Sequence, residues 1–409
     1  MPTPANQALP QLGGITATQF LNQYWGKKPL LIRQAFANFE RDNQPFNVAD
    51  VLKLAGYDEA QARLVSQTKK SGKRAWNMVR GPFRKKHFDA LKGEKWTVLV
   101  QDTQHFSHEA HALLAHFDFI SHDRIDDLMV SYATAGGGVG PHVDSYDVFL
   151  LQGTGSRRWQ ISKQTDLEWV KDAPLRILKN FNAEEEWVLD AGDMLYLPPG
   201  YAHNGVAEDD CLTWSIGFRA PAREELAGAY LDYQRDNLNV KGVLQESARH
   251  ATDQPGTLSA QSLQDYVTAL QSQLTSAQQM TDFIGGYLTV AKNHVMFLPP
   301  EEAITAAAFA REASKNGLTL DLRSRMMRID DGAKPLFFLN GFNAQNMAHS
   351  DAGNIALDAA APDVEALFSA LANTRRASPA LVRAALLQPA VKAVLHDWFD
   401  NGYIQYLQP

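Results

Sequence analysis

The chain has 409 residues, 45% of them hydrophobic and 21% charged, which is ordinary for a globular protein and too long for one core, so two or three domains of about 100–200 residues are expected. A net charge of −7 excludes a general nucleic-acid binder, and a single cysteine, Cys211, excludes an intrachain disulfide framework or a cysteine-based zinc cluster. No run of about 18 apolar residues offers a membrane span, and with no basic, apolar leader at Met1-Pro2-Thr3-Pro4 the chain is expected to act in a reducing cytoplasm.

In chain order, Asn47 is a helix-cap candidate for a helix running through Val51 and Leu52. From Lys69 to Lys86 there are eight basic residues and no acid, which leaves the rest of the chain more acidic than the total suggests. That stretch reads either as a solvated basic loop or as a contact for RNA or a protein substrate. Short strands are then predicted at Trp96–Val100, Leu128–Tyr132, Asp147–Gln152, Asp193–Leu197 and Cys211–Phe218, separated by Gly/Pro turns. Short strands at near-regular spacing argue for a barrel or jelly roll over residues 1–220.

The middle, 221–293, changes character. Leu263, Val267, Leu270 and Leu274 form a helical stripe that must bury against a partner chain or against the chain's own barrel. Residues 294–409 read as α+β, with an Ala-rich helix from Glu301, apolar strands at Leu318–Leu322 and Leu336–Leu339, helices at Asp363–Leu371, Pro379–Leu387 and Val394–Asp400, and a terminal strand at Tyr403-Ile404. Helices followed by a small hairpin are like a winged-helix module.

His-x-Asp occurs four times, as His87/Asp89, His116/Asp118, His142/Asp144 and His349/Asp351. Side chains two apart share a face only on an extended strand, whereas on a helix they sit about 200° apart. His87 and His116 lie in helical contexts and His349 in a polar loop, so ordinary surface histidines are expected there. His142-Val143-Asp144 follows a strand and a glycine bend and enters another strand. His203 follows Gly192-Asp193-Met194-Leu195-Tyr196-Leu197-Pro198-Pro199-Gly200, a strand closed by a tight turn. Two imidazoles and one carboxylate on one face of an ion leave the remaining positions open, which suits non-haem Fe(II) better than four-coordinate zinc. The runs Gly136-Gly137-Gly138 and Gly153-Thr154-Gly155 open no helix and lack a Gly-Lys-Ser/Thr ending, so they are not phosphate loops. Trp159 and Tyr196 read as core aromatics.

Gly136-x5-His142-x-Asp144 and Gly192-Asp193-x4-Pro198-Pro199-Gly200-x2-His203 resemble the two cupin motifs and, in detail, the JmjC oxygenases. The strings Asp127-Leu128-Met129-Val130-Ser131, Gly136 to His142, Tyr146-Asp147-Val148-Phe149, Gln152-Gly153-Thr154-Gly155-Ser156-Arg157-Arg158-Trp159 and Ser215 to Pro221 resemble the bacterial ribosomal oxygenases. The resemblance covers the first half strongly and the rest in order and size. It implies a double-stranded β-helix (cupin/JmjC jelly roll), then a helical dimerisation region and a winged-helix-like domain. It also implies a 2-oxoglutarate- and O₂-dependent hydroxylase of an arginine in a large-subunit ribosomal protein, with histidine hydroxylation in animal relatives.

2-Oxoglutarate needs a cation for its far carboxylate, and an arginine fork is suited to it. Arg157 and Arg158 are adjacent on a strand, so only one can face a barrel interior; the resemblance assigns the role to Arg157. Thr213 is expected to line the same pocket. Some relatives carry a hydroxyl at the position of Ala133, which leaves part of the cradle unaccounted for here. Rival readings are a histidine hydroxylase, a JmjC lysine demethylase, and a non-catalytic cupin sensor whose C-terminal module binds a partner or DNA.

Overall fold

The computed structural model describes residues 6–408 apart from 40–43, 71–72, 239–242, 244–250, 252, 254–255, 275–276, 331, 333, 347–348, 351–352 and 355–356. The chain divides into two compact units, 1–220 and 221–409.

The first unit is built from two antiparallel sheets. Its strands are β1 (Leu30–Ile32), β2 (Ala62–Lys70), β3 (Lys73–Arg80), β4 (Lys95–Val100), β5 (Ile125–Ala133), β6 (His142–Val143), β7 (Asp147–Gln152), β8 (Arg157–Ser162), β9 (Glu185–Leu189), β10 (Met194–Leu197), β11 (Ala202–Ala207) and β12 (Cys211–Phe218). The large sheet runs β1-β10-β7-β12-β5-β4-β2-β3, and the small one runs β6-β11-β8-β9.

Every residue of β7 is buried, and the reason is that both faces of the large sheet are covered. Phe149 and Leu151 point into an outer core with Phe20, Val51, Leu113, Phe117, Trp214 and Phe218, supplied partly by the N-terminal helices. Val148 and Leu150 point the other way, into an inner core with Trp159, Ile161 and Leu189 of the small sheet and Leu195 and Leu197 of β10. One of the outer helices, Val48–Leu54, starts as its sequence predicts: Asn47 accepts from the Asp50 amide at 3.0 Å and the Asp50 carboxylate accepts from the Asn47 amide at 3.1 Å.

The basic stretch belongs to the β2–β3 hairpin and the short helix Lys85–Asp89. Lys69 pairs with Arg74 and Lys70 with Lys73 in the ladder, but their side chains lie outside the described residues. Arg80, Arg84, Lys85 and Lys86 are exposed.

In the second unit, helices Arg223–Asn237 and Ala277–Thr289 pack through Tyr230, Tyr233, Phe283 and Tyr287. Helix Ala260–Leu274 carries the apolar stripe, with Leu263 and Leu270 exposed; the Leu274 side chain lies outside the described residues. Helices Ala306–Asn316, Pro362–Thr374, Pro379–Ala385 and Pro389–Asp400 then enclose a core of Phe309, Phe337, Phe368 and Trp398. Strand Leu318–Leu320 is paired by Arg376–Ala377 and Ile404–Tyr406, and Met326–Asp330 pairs with Pro335–Leu339. No helix among the described residues is long and apolar enough to cross a membrane.

Phe149 joins the outer face of the sheet to its covering, with ring centroids 4.9 Å from Phe117, 5.0 Å from Tyr196, 5.4 Å from Phe20 and 5.9 Å from Phe218. Phe149→Ala is expected to destabilise the first unit by about 3–5 kcal/mol, read as a lowered midpoint in urea unfolding; an unchanged midpoint would mean the outer core is not what holds the sheet.

Candidate metal centre and anion pocket

Strand β11 is the hinge between the two halves of the site. It pairs with the two-residue β6 so that His203 lies directly opposite His142, and Ala202 opposite Val143. The imidazole centroids are 4.2 Å apart. Asp144 completes the group, with Oδ1 4.0 Å from His142 Nε2 and Oδ2 3.6 Å from His203 Nε2. Ligand atoms of all three residues fall within 4.8 Å of one another.

Each histidine ring is oriented by the backbone two residues before it. His142 Nδ1 donates to the Gly140 carbonyl at 2.9 Å, and His203 Nδ1 donates to the Tyr201 carbonyl at 3.1 Å. A carbonyl can only accept, so Nδ1 carries a proton on each ring and Nε2, the nitrogen on the side of Asp144, is the one left to serve a metal. Burial, with His142 beside it, lowers the pKa of His203, so no proton competes for that lone pair near neutrality.

The glycine bend before His142 is sterically required. A Cβ on Gly138 would sit 2.4 Å from the Gly205 carbonyl oxygen. Gly140, at φ +84°, would press one onto Trp76 at 3.0 Å. The bend therefore lies against β11, with Gly136 N–H donating to the Ala207 carbonyl at 2.7 Å and Ala207 N–H donating to the Gly137 carbonyl at 2.9 Å.

The other three His-x-Asp pairs do not form such a group among the described residues. His87 Nδ1 accepts from the Arg84 amide at a helix start, while Asp89 pairs with Lys85. Asp118 pairs with His122, and Asp351 lies outside the described residues.

Further along the barrel, β8 separates its two arginines. Arg158 points outward to Glu208 at 2.6 Å and Glu186. Arg157 points inward and is 5% exposed, with Nε and Nη2 buried and without a hydrogen-bond partner. Its Cζ lies 5.7 Å from the centroid of the Trp159 ring, and Trp159 in turn stands 5.9 Å from His203, so the guanidinium leans from its end of the strand toward the triad. A guanidinium cannot shed its proton, so a buried, unpaired one is shaped for an anion. Thr213 faces the same interior from β12; its hydroxyl donates to Gln152 Oε1 at 3.1 Å.

At the triad's end of the barrel lies an acidic wall that sequence reasoning did not single out. Asp127 on β5 is opposite Gly217 on β12, and a Cβ on Gly217 would approach Asp127 Oδ1 at 3.3 Å and the Tyr146 ring at 3.8 Å. Burial first, then Asp144, Asp127 and Asp126, hold the Tyr146 hydroxyl protonated far above its ordinary range. Tyr146 is two residues from Asp144, but the register that brings Asp127 toward Tyr146 is long-range, so no local pattern could announce it.

The fold agrees with known proteins. A JmjC domain model matches residues 112–226 and a ROXA-like winged-helix model matches 269–405. The ribosomal protein uL16 3-hydroxylase of Escherichia coli is 31% identical over 283 residues, 69% of this chain and 74% of that protein. The chain belongs to the JmjC-domain ribosomal oxygenases. Another relative, the "Probable ribosomal oxygenase" of Haemophilus influenzae, is 43% identical over 211 residues, 51% of this chain and half (50%) of that protein. Crystallographic YcfD, the Escherichia coli ribosomal oxygenase, superposes with a TM-score of 0.80 at 28% identity over 96% of this chain and 98% of that one. A YcfD structure in complex with cobalt and 2-oxoglutarate superposes with a TM-score of 0.76 at 29% identity, over 95% and 98%. The first unit of this ribosomal oxygenase is thus a cupin-type JmjC barrel, and its C-terminal part is a winged helix, as the sequence predicted.

Removing the anion of the triad tests the centre directly. Asp144→Ala is expected to lose cobalt(II) binding, followed by calorimetry, while circular dichroism stays that of the wild type; wild-type cobalt affinity in the variant would remove Asp144 from the centre.

Proposed function

We propose that this ribosomal oxygenase is an Fe(II)- and 2-oxoglutarate-dependent hydroxylase of the cytoplasm that acts on an arginine side chain of a large-subunit ribosomal protein. The observation that carries the reading is the combination, inside one barrel, of the open-sided His142, Asp144, His203 group and the buried, unpartnered guanidinium of Arg157. The donor set fits a divalent ion that must keep positions free for a chelating co-substrate. Arg157 fits the far carboxylate of a diacid, and Thr213 lines the wall beside it. With iron bound, the co-substrate and O₂ together supply an oxidation in which the keto acid becomes succinate and CO₂ and the second oxygen atom enters a substrate C–H bond.

The chain's own residues then have separate tasks. His142 and His203 present their Nε2 atoms, and Asp144 supplies the anion. Asp127 offers a carboxylate to a cationic side chain entering at the triad's end, where a planar guanidinium can be met by two oxygens. The Tyr146 hydroxyl, held protonated, is a donor and wall beside it. A carboxylate at this end favours a cationic side chain over a neutral imidazole, and its two oxygens match the planar fork of arginine better than an N-methylated ammonium; the kinship to a uL16 3-hydroxylase supports a ribosomal protein as the carrier.

Intact-mass comparison of ribosomal proteins from cells with and without this gene tests the reading. A gain of one oxygen on one large-subunit protein, localised by peptide fragmentation to an arginine and lost in the Asp144→Ala strain, is expected. Loss of a methyl group instead would favour the demethylase, oxygen on histidine the histidine hydroxylase, and identical masses with no succinate release the non-catalytic sensor.

We infer further that two copies associate through the helical region within 221–293. Leu263, Tyr266 and Leu270 are 54%, 48% and 64% exposed on one helix, at the three-and-four spacing of a helix–helix seam. In a two-fold interface each residue meets its own copy or a neighbour of it, so Leu270→Glu sets like charges together in a desolvated seam. Light scattering is expected to report a dimer for the wild type and a folded monomer for Leu270→Glu; a monomeric wild type at micromolar concentration removes the inference.

A further inference from the structure

Arg157 is not the barrel's lone unanswered polar group: the Trp159 indole N–H and the Thr97 hydroxyl are also buried without a partner, and Thr97 lies at the end where Arg157 begins. Three hydroxyls face the interior there from the large sheet: Thr97 on β4, Ser131 on β5 and Thr213 on β12. Ser131 donates to the Thr213 carbonyl at 3.4 Å. Thr213 donates to Gln152, whose amide in turn donates to the carbonyls of Thr154 at 3.0 Å and Gly155 at 3.3 Å. Both protons are committed. Thr97 is 0% exposed and its Oγ1 has no partner. Its neighbours Trp96, Val98 and Val100 belong to the outer core, so alternation turns Thr97 inward.

Register links this hydroxyl to the arginine through a row of small side chains. Thr97 is directly opposite Ala133, and Ala133 is opposite Cys211. Ala133 and Cys211 cluster with Ala207, which is opposite Arg157. Three small side chains thus leave room between an unpaired hydroxyl and an unpaired guanidinium. The approach loop respects the same space: a Cβ on Gly137 would come within 3.2 Å of Thr97 Oγ1. Ala133 brings no donor of its own; its cross-strand neighbour does.

We propose that Thr97 is a co-substrate-binding residue, donating its hydroxyl to the same far carboxylate that Arg157 grips. The carboxylate is then held from both sheets, by a guanidinium from β8 and a hydroxyl from β4. The inference rests on the reading of this pocket as a 2-oxoglutarate site. A buried donor without a partner is costly in the free protein, and a carboxylate is an acceptor that relieves it.

The test uses the full chain loaded with manganese(II), and calorimetric binding of 2-oxoglutarate and of 2-oxopentanoate, in which a methyl replaces the far carboxylate. Thr97→Val keeps the shape and removes the hydroxyl. It is expected to weaken 2-oxoglutarate about tenfold or more while leaving 2-oxopentanoate unchanged, and Thr97→Ser is expected to restore tight binding. Unchanged 2-oxoglutarate affinity in Thr97→Val overturns the proposal, and so does an equal loss of both ligands, which would mean a structural role. Should Thr97→Val fail to fold, Thr97→Ala carries the same comparison. Arg157→Ala separates the layers of the argument: if it binds 2-oxoglutarate as the wild type does, the pocket reading itself fails and this inference with it.

Discussion

The cross-strand pair of His142 and His203 is the constraint on which the rest of the site depends. β6 is only two residues long, so its position is fixed almost entirely by its bonds to β11 and by the glycine bend that leads into it. Side chains alternate along a strand, so slipping β11 by one residue would turn His203 outward and bring Asn204 in. That register is pinned by the full ladder of β11 to β8, from Ala202 against Ser162 to Ala207 against Arg157. The same ladder therefore sets both the spacing of the two imidazoles and the distance from the triad to the guanidinium. His203 faces Ile161, and Arg157 starts four residues earlier on that strand, about 13 Å away. The guanidinium packs 5.7 Å from the Trp159 ring, and on the proposed reading the co-substrate would span what remains of the gap to the triad.

Holding a permanent cation inside a barrel is unfavourable, and the surroundings show how the fold tolerates it. Arg158, on the same strand, meets two carboxylates at the surface, as exposed arginines do. Arg157 meets none, although acids are abundant in the chain. An ion pair from a protein carboxylate would satisfy it and also close the pocket to any other anion. On the proposed reading, stability surrendered at this residue would be recovered when an anionic ligand binds the folded form only. The outer core, with its aromatic cluster around Phe20, Phe117, Phe149 and Phe218, supplies the margin that makes the deficit bearable.

Much of this was legible from residue types and spacing, and the limits have a physical pattern. Extended context separated His142-Val143-Asp144 from the helical His87/Asp89 and His116/Asp118, because only a strand puts positions two apart on one face; it did not separate His349, whose polar surroundings read as a loop but which lies on the short strand His349–Ser350. Asp147–Gln152 was readable as a strand but not as one buried on both sides, since an unbroken apolar run does not say what covers it. Adjacency told that one of Arg157 and Arg158 must face inward; local sequence could not choose, and resemblance did. The β2–β3 hairpin stayed hidden because Ser66, Gln67 and Thr68 break its alternation and its tip reads as charge. Thr97 left only a faint mark, a threonine within the apolar strand Trp96–Val100. Its meaning lies in being opposite Ala133, thirty-odd residues on, and pairing at that separation is set by the whole sheet.

On the proposed reading, the two ends of the pocket also explain how a diacid would be oriented and how its product would leave. The Arg157 end recognises a carboxylate and nothing more, so it accepts either end of a dicarboxylate. The open side of His142, Asp144 and His203 would discriminate, because a keto acid offers a keto and a carboxylate oxygen to one ion in an unstrained five-membered ring, whereas a plain carboxylate can offer its two oxygens only in a strained four-membered one. Co-substrate is therefore seated in one direction, with its plain carboxylate at Arg157. After oxidation the product has a carboxylate at each end and no keto group, so Arg157 retains its contact while the triad's end loses a chelate. Binding that depends on both ends falls when one is weakened, and the barrel releases succinate without a moving part. A donor at Thr97 would strengthen the end that does not discriminate, which makes it a determinant of affinity for both diacids and leaves selectivity between them with the metal ligands.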